Sequence, residues 1–281
     1  MGCIPDCAIG VMAKAPRPGF SKTRLCPPLH PDEAAALSAA FLRDITDNIA
    51  LAARQAAITG YVTYAPAGSE ALFDGHLAFG TGRLLADGSP LMPPDVQGFG
   101  RCLLHAILAM LARGHQSAVV LNADGPTLPT ALLVRTARAL AAEGDRVVLG
   151  PADDGGYYLL GMKAAHAHLF ADITWSTANV AETTRARAAE LGLAVVELPP
   201  WYDVDDRESL NRLVAETSVL RARSSVVASA GVHNPRRDIE KEPDDFPEPG
   251  SLDLLAYPAP FTAQALARME WRLKDLGQAA E

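Results

Sequence analysis

The chain has 281 residues, 49% of them hydrophobic, with a formal net charge of -8 and a pI near 5.4. That length and apolar content suffice for one large folded domain with an appendage. The acidic balance argues against a nucleic-acid or anionic-membrane surface, no apolar run approaches a membrane span, and the first apolar run is too short for a signal peptide, so a cytoplasmic protein is expected.

The first apolar run, Cys7 to Met12, predicts a strand. It exits into Met12-Ala13-Lys14-Ala15-Pro16-Arg17-Pro18-Gly19-Phe20-Ser21-Lys22-Thr23-Arg24-Leu25, a Pro-stiffened loop crowded with cations. Pro31 opens a helix with Asp32 and Glu33 in its first turn, and Leu37, Phe41, Ile45, Ile49 and Ala52 mark one apolar face. Ile58 to Tyr64 reads as a strand, 66–95 as loop with a short strand at Arg83 to Leu85, and Leu103 to Leu111 as a helix. Ala118 to Leu121 is uninterrupted and apolar, as in the middle of a covered parallel sheet. A helix follows from Pro129 to Ala142, then strands at Arg146 to Leu149 and Tyr157 to Leu160 around a Gly-rich turn. A helix from Asn179 to Leu191, a strand from Ala194 to Leu198 and a helix from Asp206 to Ala215 complete the alternation. Such β-α alternation predicts an α/β domain with a mostly parallel sheet.

The character changes near residue 217, so 1–216 is read as the catalytic domain and 217–281 as an extension. Residues 221–260 are Arg/Ser-rich, then acidic and Pro-rich, and read as linker or surface-wrapping chain. A short amphipathic helix from Thr262 to Leu276 closes the chain, with Leu266, Met269, Leu273 and Leu276 on one stripe. Docking on its own domain explains that stripe; a homodimer is the alternative. Cys3, Cys7, Cys26 and Cys102 form no C-x-x-C pair and read as reduced thiols. Asp6 stands where an acylation signal beginning Met1-Gly2-Cys3 needs Ser or Thr.

Four features carry chemistry. The basic loop, at a strand exit, suits a di- or triphosphate through Lys14, Gly19, Lys22, Thr23 and Arg24; the bland reading is a solvated turn. Pro16 and Ser21 replace the glycines of a P-loop, and Gly98-Phe99-Gly100 lacks the third Gly of a dinucleotide fingerprint. Asp124, in Asn122-Ala123-Asp124-Gly125-Pro126, emerges where the central strand ends, and Thr127 and Pro129 supply a start signal for the next helix. Asp203 and Asp205 follow the last strand, although Asp205 with Glu208 also fits a capping box. Asp124 and Asp203 suit one Mg²⁺ or Mn²⁺, with Asp205 as a further candidate ligand, and the absence of nearby His or Cys argues against zinc. Asp153 and Asp154, before Gly155-Gly156-Tyr157, form either a hairpin turn or a group that orients or deprotonates an acceptor. His105, His115, His166 and His168 have no catalytic partner nearby in sequence.

In this order the features resemble the transferase family associated with radical-SAM and selenium domains, of the nucleotide-diphospho-sugar (GT-A) fold. The resemblance spans about 8–214. It rests on Met12-Ala13-Lys14-Ala15-Pro16 running to Lys22-Thr23-Arg24-Leu25, on Ala123-Asp124-Gly125-Pro126, on Asp153 to Gly161, on Trp175-Ser176-Thr177 and on Asp203-Val204-Asp205. The opening segment is also similar to that of the 2-phospho-L-lactate guanylyltransferases. Two positions depart from the family pattern: Ala123 replaces a Ser, and Arg101 follows Gly100 one residue early for a phosphate contact. The resemblance implies Gly155, Gly156, Tyr157 and Trp175 on the acceptor or sugar side. It implies a metal-dependent glycosyltransferase using a nucleoside-diphosphate sugar and a small-molecule acceptor. The alternative is a nucleotidyltransferase acting on an NTP and a phosphate- or phosphonate-bearing substrate; a non-catalytic nucleotide-binding protein is a third reading.

Overall fold

The structure, a computed structural model, describes residues 6–229 and 254–278, with side chains through 220 in the first span and through 269 in the second. Cys3 and most of the expected linker lie outside these residues. Among the described residues, seven strands make one sheet: β1 (Cys7–Ala13), β2 (Ile58–Tyr64), β3 (Gly82–Leu85), β4 (Ser117–Asn122), β5 (Arg146–Pro151), β6 (Tyr157–Met162) and β7 (Ala194–Glu197). Their spatial order is β3-β2-β1-β4-β6-β5-β7. Only β6 runs against its neighbours β4 and β5; the other pairings are parallel. This is the mostly parallel α/β sheet expected from the sequence, and it brings the C-terminal ends of the remaining six strands to one edge.

Six α-helices cover the sheet among the described residues: α1 (Pro31–Ala52), α2 (Phe99–Leu111), α3 (Thr130–Ala141), α4 (Val180–Glu190), α5 (Arg207–Ser229) and α6 (Pro260–Gln278). Along β1, Ile9, Val11 and Ala13 face the core shared by α1, α3, α5 and α6, while Ala8 and Met12 face α2. Covering both faces is why these strands read as apolar runs without alternation. Phe41 of α1 is wholly buried, a burial that contributes about 1.5–3 kcal/mol. Gly10 lets α2 approach: a Cβ there would lie 2.7 Å from Thr63 Cγ2 and 3.1 Å from Met110 Sδ.

Several boundaries differ from expectation. α2 begins at Phe99, four residues before Leu103. α5 continues to Ser229, past the expected change at 217. Its cap is Asp206 with Ser209, not Asp205 with Glu208: Asp206 Oδ1 accepts the Ser209 N–H at 2.9 Å, and Ser209 Oγ accepts the Asp206 N–H at 3.1 Å. Thr127 does not start α3 either; its hydroxyl lies 3.3 Å from Tyr202 Oη. In α6, Ala263, Leu266 and Met269 are buried, the last two in the α1 core; the Leu273 and Leu276 side chains lie outside the described set. Among the described residues, no helix is long and apolar enough to cross a membrane.

Candidate active site

The first loop is knitted by its own Ser21, whose hydroxyl donates to Ala15 O and accepts the Arg17 N–H, both at 3.1 Å. Gly19, at φ +77°, turns the chain where no neighbouring atom approaches. Beyond this turn opens a cavity of about 470 Å³. Its walls are the ends of β1, β2, β3 and β4 (Ala13, Tyr64, Ala86, Ala123), the first loop from Phe20 to Arg24, and Phe99 and Cys102 of α2. Lys14, Lys22, Thr23, Arg24, Asp124 and Asp205 all line it. Four strand ends at one edge, with Asp205 from the loop after β7, thus bring widely separated residues into one site, the usual place for ligands in open α/β sheets.

Lys22 is the pivot. Its backbone is left-handed, with φ +50°, which is uncommon for a residue with a Cβ. That turn drives the side chain inward until only 7% is exposed. Its ammonium contacts Asp124 Oδ1 at 2.5 Å and Asp205 Oδ1 at 3.3 Å, and donates to Val204 O at 2.6 Å. Arg24 behaves differently: it is 74% exposed and 3.7 Å from Asp205 Oδ2. Lys22 and Arg24 thereby occupy Asp205, which explains why the cap of α5 moves on to Asp206.

Asp203 is a half-buried carboxylate. Asn122 Nδ2 donates to its Oδ1 at 2.5 Å. The backbone beside it is tied to β4, since Val204 N–H donates to Asp124 O at 3.0 Å. Burial pushes Asp203 up to about 7, and the Asp124 charge pushes in the same direction, while the Asn122 hydrogen bond opposes both. Asp124 and Asp203 thus offer oxygen donors alone, the donor type that a hard divalent cation takes. Asp205 does not join them in a preformed cage: among the described residues, no three His, Cys, Asp or Glu side chains are grouped to hold a metal.

The Asp153–Gly156 hairpin sits at the same edge. Asp154 Oδ1 accepts the Gly156 N–H at 2.9 Å, the local bond of an Asp-Gly turn, and its charge also raises Asp203. Asp153 Oδ2 accepts from Arg212 Nη1 at 3.0 Å, and the Arg212 guanidinium lies 3.8 Å from the centre of the Tyr202 ring. Gly155, at φ +87°, packs so tightly that a Cβ would lie 2.1 Å from Ala178 O. The Tyr157 hydroxyl is buried, with no hydrogen-bond partner among the described residues. Trp175 donates its ring N–H to Gln97 O at 3.2 Å and meets Phe99 edge to face. Arg101 is turned away from the cavity, donating to Gly88 O at 2.8 and 3.1 Å and to Pro90 O at 3.0 Å, so it fastens the loop after β3.

Sequence reasoning missed Phe20, Tyr64 and Phe99 as cavity walls, and Asn122, Val204 and Arg212 as partners of the site carboxylates. Phe20 and Phe99 left one signal, an aromatic beside a loop glycine; the others depend on contacts far apart in sequence. The four histidines all have carboxylate partners in space, His115 with Asp6 at 2.7 Å among them. Cys7, Cys26 and Cys102 are free thiols.

Residues 48–177 match a family described as an uncharacterized protein conserved in bacteria (DUF2064). No curated protein matches the chain. A crystal structure from Desulfovibrio desulfuricans G20, provisionally described as a nucleotide-diphospho-sugar transferase, is 25% identical. It overlays with a TM-score of 0.66 across 81% of this chain and 99% of its own. Looser overlays include Rv0371c from Mycobacterium tuberculosis H37Rv, with TM-score 0.43, 17% identity, and 74% and 97% coverage. Another is CMP:2-keto-3-deoxy-manno-octonic acid synthetase with CTP, with TM-score 0.46, 11% identity, and 78% and 99% coverage. The first overlay establishes the nucleotide-diphospho-sugar transferase-like fold.

Proposed function

We propose that the protein is a metal-dependent glycosyltransferase that takes a nucleoside-diphosphate sugar and a small-molecule acceptor. One observation carries this reading: a cavity at the strand-end edge has a cationic loop on one wall and Asp124 on the other, with half-buried Asp203 beside it. The likeness to the Desulfovibrio protein supports the same substrate class. Asp124 and Asp203 are the residues to hold Mg²⁺ or Mn²⁺, with Asp205 as a neighbouring carboxylate. When bound, such an ion neutralises charge that develops on the leaving diphosphate. Lys14, Thr23 and exposed Arg24 meet the phosphates, and Gly19 keeps the loop open to them. Asp153 or Asp154 orients the acceptor hydroxyl or takes its proton, with Gly155, Gly156, Tyr157 and Trp175 shaping that side. Arg101 acts through the loop it fastens.

A second reading, a nucleotidyltransferase, has one observation in its favour. Lys14, Arg17 and Arg24 are all exposed on one loop, more cations than a diphosphate needs. In that case a phosphate- or phosphonate-bearing substrate attacks the α-phosphorus of an NTP and pyrophosphate leaves.

Thermal shift separates the two. Nucleoside-diphosphate sugars and NTPs are tested with and without Mg²⁺ or Mn²⁺. A ligand at a hundred times its Kd stabilises the fold by about 2.7 kcal/mol. Metal-dependent stabilisation by the sugars is expected, and Asp124→Ala should remove its metal-dependent part. Stabilisation by NTPs alone would hand the protein to the second reading.

A further inference from the structure

Lys22 already has a full set of partners before any phosphate arrives. An ammonium has three N–H donors, and three oxygens already surround this one: Asp124 Oδ1, Val204 O and Asp205 Oδ1. The Phe41 ring closes over it, 5.2 Å from its centre. The exposed cation next in the loop is Arg24. We propose that Lys22 is a resident stand-in for the divalent cation: its ammonium holds Asp124 and Asp205 in the ligand-free protein and competes with the incoming cation for Asp124. This rests on the metal site proposed above.

The competition follows from charge. A divalent ion on Asp124 sits about 2 Å from a carboxylate oxygen, while the same carboxylate holds the ammonium at 2.5 Å. Two positive groups that close repel strongly in a half-buried site. Cation entry therefore loosens the Lys22–Asp124 contact. The released ammonium faces the cavity, where the phosphates accompanying the cation are its next partner. Asp205 and Val204 O keep it tethered. Binding of cation and nucleotide then becomes mutually reinforcing, because one frees the lysine that the other needs.

The test is Mn²⁺ binding to nucleotide-free protein, read by electron paramagnetic resonance, for wild type, Lys22→Met, Arg24→Met and Asp124→Asn. Lys22→Met should bind Mn²⁺ about tenfold more tightly than wild type, since a competing charge is gone. Arg24→Met loses the same charge without touching Asp124 and should stay within about twofold. Lys22→Met equal to or weaker than wild type overturns the proposal, as does equal tightening in Arg24→Met. If those results come with Mn²⁺ binding that Asp124→Asn still abolishes, the metal site stands and only the stand-in fails. Mn²⁺ binding indifferent to Asp124→Asn sinks both. Should Lys22→Met not fold, ¹⁵N-detected lysine spectra of wild type decide. Mg²⁺ should shift the Lys22 ammonium resonance, and a resonance that ignores saturating Mg²⁺ overturns the proposal.

Discussion

Asp203 shows how one residue trades stability for a binding site. Its carboxylate is desolvated and faces the Asp124 charge, with Asn122 as its hydrogen-bond donor. Holding it ionised costs the ligand-free fold free energy that a bound cation would offset. Asp203→Asn removes the charge with little change of shape. The variant should therefore melt higher than wild type at pH 8 without ligand, by an amount worth about 1–2 kcal/mol. It should also lose the extra stabilisation that Mn²⁺ gives wild type. A lower melting point without ligand, with Mn²⁺ stabilisation intact, would mean that the carboxylate is structural. Asp203 was legible from its position after the last strand, because Asp205, not Asp203, was the residue with a competing helix-capping duty. Its burial was not legible, since it depends on Asn122 and Asp124, about eighty positions away.

At the scale of elements, α6 is fixed to the body of the fold by α1. Asp44 of α1 is buried, and its two carboxylate oxygens accept the Phe261 N–H at 3.1 Å and the Thr262 N–H at 2.6 Å. A carboxylate from one helix thus satisfies the first free donors of another and complements its dipole. Burial nevertheless raises Asp44 to about 6, against 3.8 in its unperturbed state. The folded chain then binds that proton more tightly than the unfolded one. The resulting stability is fully present below pH 4 and is lost as pH rises through about 6. In urea unfolding, wild type should gain about 2 kcal/mol relative to Asp44→Asn between pH 7.5 and pH 4. Other titrating groups are common to both proteins, so parallel pH curves would dispose of the idea. The amphipathic stripe of α6 was legible from spacing alone. Its anchor was not, because Asp44 sits on the inner side of a helix whose pattern advertises Leu37, Phe41, Ile45, Ile49 and Ala52.

For the whole molecule, the parallel sheet does most of the functional work. The β-α alternation announced that sheet, and parallel strands covered on both faces left their mark as unbroken apolar runs. The strand order and the reversed β6 had no such mark, because register and neighbour choice are set by packing between distant segments. Direction, more than order, makes the site: all strands but β6 discharge their following loops at one edge. Ligand binding should therefore act on loops scattered through the sequence and spare the opposite edge. Hydrogen exchange with Mn²⁺ and a nucleoside-diphosphate sugar should show protection after β1 (14–24), after β2 and β3 (65–66 and 86–88), after β4 (123–126) and at 201–205. The opposite edge holds Asp6 and His115, joined at 2.7 Å, with Tyr61 Oη 2.7 Å from the other ring nitrogen of His115. Exchange there should not change. Protection at 14–24 without any at 123–126 and 201–205 would mean that the basic loop binds anions alone, with the carboxylates taking no part. Protection of all three together is what a phosphate-bound cation between them requires.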